Sequence, residues 1–130
     1  MNTVSIDVKD MLEAAGLGLE YKKNLFIAKE PDNPDNCVTV FDTPSFPPEY
    51  DIAGQSYYRS SCQIRIRNNG YTDGMTVARN ILDSLHARVN LEAWNGTVYT
   101  VIEATGEPAQ LAWDDNNRAI IIINFNFQRR

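Results

Sequence analysis

The chain has a single histidine, two cysteines and no excess of positive charge, and each shortage closes off a class of function. A Ser/His/Asp or Cys/His device would have to be built on His86, which falls at the end of a predicted helix. There a cation complements the helix dipole, so a helix-terminal role is the reading taken. Cys37 and Cys62 lie in strand-like runs without a CxxC spacing, and two buried, reduced thiols are expected in place of a disulfide or a metal site. HExxH, P-loop and GxGxxG motifs are missing, and the short glycine pieces Asn69-Gly70 and Asn95-Gly96 read as turns. The acidic runs around Asp32 and Asp35, and from Asp114 to Asn117, lack the spaced oxygen ligands of a calcium loop and also read as turns. No catalytic residue, metal or cofactor is therefore expected.

Long apolar runs are absent too: the longest, Ala119 to Ile123, is far too short to span a membrane. No signal-peptide pattern opens the chain, and a soluble protein made in the cytoplasm is expected. Lys and Arg number 12 against 17 Asp and Glu, for a net charge of −5. A dedicated nucleic-acid binder would normally be basic, because phosphate neutralisation supplies most of its affinity. There is no internal repeat and no low-complexity tract.

What is present is enough for one folded domain over residues 1–130, with 43% hydrophobic residues and ordinary aromatic content. The stretch from Tyr57 to His86 organises it. Tyr58, Ser60, Cys62, Ile64 and Ile66 alternate with Arg59, Ser61, Gln63, Arg65 and Arg67, the pattern of a half-buried strand. After Asn68, Asn69 and Gly70, residues that tolerate positive φ, Asp73 is placed to cap a helix. Val77, Ala78, Ile81, Leu82 and Leu85 form its apolar stripe.

Before this unit, Ser5 is placed to cap a short helix with Val8, Met11, Leu12 and Ala15 on one side, stopped by Gly16 and Gly18. Two strands, Asn24 to Glu30 and Cys37 to Phe41, flank the turn-rich PDNPDN and read as a β-hairpin. Asp42 to Ser56 is a fifteen-residue connection with Pro44, Pro47 and Pro48. It also carries Phe46, Tyr50 and Ile52, anchors that a bare loop would not need, and it is expected to be mobile until it docks on a partner. Later, Leu91 to Trp94 and Thr97 to Ile102 flank Asn95-Gly96, the sequence of a type I′ hairpin.

In the closing run, Ile121, Ile123, Phe125 and Phe127 make one face, while Ile120, Ile122, Asn124, Asn126 and Gln128 make the other. The fold expected is α+β: a mostly antiparallel sheet of four or more strands with two helices packed on one face, in the order α-β-β-β-α-β-β. A sheet covered on one side should be polar on the other, so Ile120 and Ile122 call for a second cover. Together with Arg59, Arg65 and Arg67 they are the candidate subunit interface. The same arginines beside Tyr57 also suggest a nucleic-acid stacking platform, a reading weakened by the net acidity and by the missing second aromatic.

The run QIRIR from Gln63 to Arg67, the turn Asn69 to Tyr71, the helix Ala78 to His86, the Asn95-Gly96 hairpin, Pro108, the segment Asp114 to Arg118 and the closing NFNF from Asn124 to Phe127 carry a resemblance. In pattern and order, from about Cys37 onward, the chain resembles the minor capsid and tail terminator (head-tail joining) proteins of long-tailed bacteriophages. The resemblance implies a structural virion protein of the tail or neck. Such a protein assembles with itself into a ring, usually hexameric, at the head-proximal end of the tail tube. It ends tube polymerisation and meets the tail tube protein on one side and the head connector on the other. It implies no catalysis and no cofactor, and DNA would only pass through an acidic lumen. The alternatives are a small nucleic-acid-binding module or another neck or head-completion protein.

Overall fold

The computed structural model describes residues 1–50, 54, 56–87 and 92–130. These form helices α1 (Val4–Ala14) and α2 (Tyr71–Leu85) and strands β1 (Leu25–Ile27), β2 (Cys37–Thr43), β3 (Glu49–Tyr50), β4 (Ser56–Asn68), β5 (Glu92–Trp94), β6 (Thr97–Ala104), β7 (Ala109–Trp113) and β8 (Ala119–Arg129). Leu91, expected in the second hairpin, and Ile52 lie outside the described residues.

The sheet is built on one long antiparallel pair. β4 and β8 are in register from Tyr58↔Arg129 to Asn68↔Ala119. This sets Cys62, Ile64 and Ile66 opposite Phe125, Ile123 and Ile121, all buried. A slip of one residue would turn every one of these side chains to the other face, so their burial fixes the register. The outer edge of β4 is shared end to end by β2 and β3, and that of β8 by β7 and β6. Val8, Met11 and Leu12 of α1 and Ala78, Ile81 and Leu85 of α2 join the same core; Val77 and Leu82 are only partly buried.

Four local expectations need correction. The sheet is mixed, because β1 and β2 pair in parallel, Leu25 against Val38 and Ile27 against Val40, and do not form a hairpin. The physical reason lies far along the chain. Arg67 donates to the carbonyls of Asp35 (3.1 Å) and Pro34 (2.6 Å), while Arg118 donates to the Asp32 carbonyl (2.9 Å) and to the Asp35 carboxylate (3.1 Å). These bonds hold the connecting segment 28–36 folded back at the end of the sheet, so that the chain re-enters beside β1 in the same direction.

Ser5 does not cap α1; Thr3 occupies the N-cap, and Ser5 sits inside the first turn. The helix end is closed by Asp42 of β2, which accepts from the Ser5 amide (3.0 Å) and hydroxyl (2.7 Å). A carboxylate there also complements the positive end of the helix dipole. Likewise Gly70, with extended backbone (φ −114), is the N-cap of α2, while Asp73 lies in the first turn. Asp42 to Ser56 is not all loop either: β2 runs on to Thr43 and Glu49–Tyr50 pairs with β4.

Other local readings correspond to the structure. Gly16 and Gly18 follow α1 with φ of 72 and 76. Asn95 and Gly96, with φ of 52 and 81, make the tight turn between β5 and β6, as a type I′ turn requires.

A polar clasp ties the chain ends together. Buried Asp7 accepts hydrogen bonds from the Tyr99 hydroxyl and from Asn95 Nδ2 (2.7 Å), and Arg129 reaches the Asn2 carbonyl (2.8 Å) beside it. Burial, then the bond to Asp7, pushes the Tyr99 hydroxyl up from its ordinary value. Because every member has a partner, the cluster orients α1 without leaving a buried group unsatisfied.

Two outcomes test this packing. Gly74 is buried in α2, and a Cβ built there would lie 2.7 Å from Ile121 Cδ1 and 3.1 Å from Asn68 Cβ. Helix propensity alone would make Gly74→Ala stabilising by about 1 kcal/mol, but the overlap with the core should make it destabilising by about 1–3 kcal/mol in urea denaturation. Arg67→Ala should cost about 1–3 kcal/mol, since the Pro34 and Asp35 carbonyls lose their donors. It should also speed amide hydrogen exchange in residues 28–36 while leaving α2 protected; uniform exchange across the chain would remove Arg67 from this role.

Candidate functional site

The face of the β4–β8 pair turned away from the apolar core divides into a closed end and an open end. At the closed end stand Arg65, Arg67 and Ile120. Arg67 is 3% exposed and Ile120 2% exposed within the single chain. Glu30 lies 3.2 Å from Arg65 Nε and 3.9 Å from Arg67 Nη1, and the segment 28–36 supplies the remaining partners. Arg118, which sequence reasoning passed over, is a second pin here. Its Nε donates to Asp114 at 2.7 Å, and Asp114 also accepts from the amides of Asn116 and Arg118. Desolvation works to raise the Asp114 carboxyl, but the bonds from Arg118 and Asn116 outweigh it and hold the group below the usual carboxylate range. The run Asp114 to Asn117 is accordingly a pinned turn.

At the open end the side chains are polar and accessible. Gln63 Nε2 donates to Asn124 Oδ1 (3.2 Å) across the pair, and Ser61 donates to the Thr43 and Pro44 carbonyls, fastening the start of the proline-rich loop to β4. Arg59 is exposed, with Glu49 at 3.5 Å. Ile122 is half-buried opposite Ala109. Beside Arg59 lies a groove of about 310 Å³ lined by Phe46, Arg59, Val101, Glu103, Asn126 and Gln128. Phe46 and Tyr50 are 71% and 72% exposed, and on β7 Leu111 and Trp113 are 59% and 54% exposed.

The structure thus separates the predicted interface residues. Arg59 remains accessible; Arg65 and Ile122 are half-buried, and Arg67 and Ile120 are enclosed by their own chain. The signal missed for Leu111 and Trp113 was legible: AQLAW is a short strand with no charge, placed just after Pro108.

The other chemistry-bearing side chains have structural surroundings. Cys37 and Cys62 are free and buried, and burial pushes both thiols up from their ordinary value. His86 is the C-cap of α2, and its Nδ1 accepts from the Ala104 amide at 3.0 Å. Among the described residues no group of three His, Cys, Asp or Glu side chains is placed to hold a metal ion.

A family model described as bacteriophage tail terminator protein matches residues 11–130. A chain from the virion of a native gene transfer agent particle has a similar fold, with a TM-score of 0.68 and 12% identity over 98% of this chain and 94% of that one. A second solved chain superposes with a TM-score of 0.58 and 17% identity, covering 97% of this chain and 89% of its own. At these identities the two likenesses show the fold alone. No curated protein matches the sequence.

Proposed function

The chain belongs to the bacteriophage tail terminator proteins, structural components of the virion and not an enzyme family, and from that premise we propose that it caps the head-proximal end of a phage tail tube. In this reading copies assemble side by side into a ring, hexameric as the resemblance implies. The ring ends tube polymerisation and presents a joining surface to the head connector. Both helices contribute to the apolar core, and the open end of the opposite face is left to neighbours.

The observation that carries the reading is the surface of that open end. Polar side chains able to form specific hydrogen bonds, Gln63 and Arg59 on β4 and Asn124, Asn126 and Gln128 on β8, run in a row from half-buried Ile122 to the groove that exposed Phe46 lines. Apolar anchors within a polar field are the composition of a protein interface. The alternative reading as a nucleic-acid module loses support from the same geometry. Arg65 and Arg67 are engaged by Glu30 and by main-chain carbonyls, and the chain is acidic. Negative charge instead suits a lumen through which DNA slides without sticking.

The loop bearing Phe46, Tyr50 and Ile52 is the docking element in this proposal, and Arg59, Arg65 and Ile122 are the subunit contacts, with Arg67 and Ile120 supporting them from beneath. Changing Phe46 and Tyr50 together to Ser should leave the thermal midpoint nearly unchanged, because both are exposed in the free chain. In phage carrying the variant, electron microscopy should show tails of uncontrolled length or tails unattached to heads. A variant that melts several degrees earlier yet still terminates tails would place the aromatics in the core and remove the loop from docking. Ile122→Asp should keep the circular-dichroism spectrum and abolish ring formation on tails; normal assembly would show that this part of the face points to solvent.

A further inference from the structure

We propose that Leu111 and Trp113 of one copy seat in the groove beneath Phe46 of the next copy, a head-to-tail contact that repeats around the ring. The proposal rests on the ring reading above and names the two surfaces that would close it. β7 is an edge: it pairs with β8 on one side, and among the described residues no strand lies on the other. Natural sheet edges are usually blunted by charge, but AQLAW has none and exposes a leucine and a tryptophan. An uncovered, uncharged edge of this kind is a docking surface.

The groove is complementary to it. Phe46 and Val101 offer an apolar wall for an indole, Arg59 a cation for its π face, and Glu103 or Asn126 an acceptor for its N–H.

The two surfaces cannot serve each other within one chain. The groove lies at the level of Asn126 to Gln128 on β8, whereas β7 pairs with Ala119 to Ile122. The centres of the two surfaces are separated by on the order of 20 Å along β8. An apolar projection at one place and a pocket at another make a heterologous contact, which generates a ring when its rotation closes. A second copy of this chain is therefore the occupant.

Disulfide trapping tests the contact, since the native Cys37 and Cys62 are buried and leave the surface free of thiols. Ser45 lines the groove, and Ala112 is exposed on β7 beside Trp113. Ser45→Cys and Ala112→Cys proteins, mixed at millimolar concentration under mild oxidant, should give a mixed dimer as the main product. Adding Trp113→Ala to the second protein should cut that yield by on the order of tenfold, as for the loss of an interface anchor.

Cross-linking of Ala112→Cys chiefly to itself would mean a two-fold contact and overturn the proposal, as would a yield indifferent to Trp113→Ala. An oligomer in sizing chromatography without the mixed cross-link would sink this contact and leave the ring reading standing. A protein that stays monomeric at that concentration and gives no cross-link would sink the contact and weaken the ring reading with it.

Discussion

The pairing of β4 with β8 is the constraint on which the remaining structure depends. Eleven consecutive partners, from Tyr58↔Arg129 to Asn68↔Ala119, bring together segments from the middle and the end of the chain. Once that register is set, each strand has one free edge, and each edge is long enough for two short strands in tandem. β2 and β3 fill one, β7 and β6 the other. Both helices then contribute to the apolar core formed on the Cys62–Ile64–Ile66 side. The closing contact is slow to reach but well rewarded, because it buries Ile121, Ile123, Phe125 and Phe127 at once.

The opposite face shows how a single strand can hold two different roles. Toward Asn68, Arg67 and Arg118 spend their donors on carbonyls of the segment 28–36 and are buried, as is Ile120 beside them, while Arg65 faces the Glu30 carboxylate and is half-buried. Toward Tyr57, the same side of the strand carries Ser61 and exposed Arg59 and stays accessible. The division follows from reach: the turn-rich segment enters β2 at Cys37, opposite Arg67, and covers only the end of the sheet nearest its own entry point. The part left open is also the part beside Phe46 and the groove, so structural closure at one end leaves a candidate contact surface at the other.

Two carboxylates do much of the positioning. Asp42 closes the end of α1, and buried Asp7 gathers Tyr99 and Asn95 from the β5–β6 hairpin. Asp7 accepts more than one bond, which offsets the cost of taking its charge from water. These contacts join residues dozens of positions apart, and together they fix where the N-terminal helix lies relative to the C-terminal strand.

By itself the sequence determined the elements whose signals are local. The period-two alternation of Tyr58 to Arg67, the helical stripe of Ala78, Ile81 and Leu85, the glycines after α1 and the Asn95-Gly96 turn each depend on neighbours within a few residues, and each is present. The α+β class and the family resemblance followed from the order of those elements. What only the tertiary structure decided depends on partners distant in the chain. The parallel course of β1 and β2 is imposed by Arg67 and Arg118, the cap of α1 by Asp42, and the enclosure of Arg67 by the segment 28–36. An arginine on a strand face reads the same whether its donors meet a neighbouring molecule or a carbonyl of its own chain. Only the folded geometry, which sets the distance between donor and acceptor, separates the two.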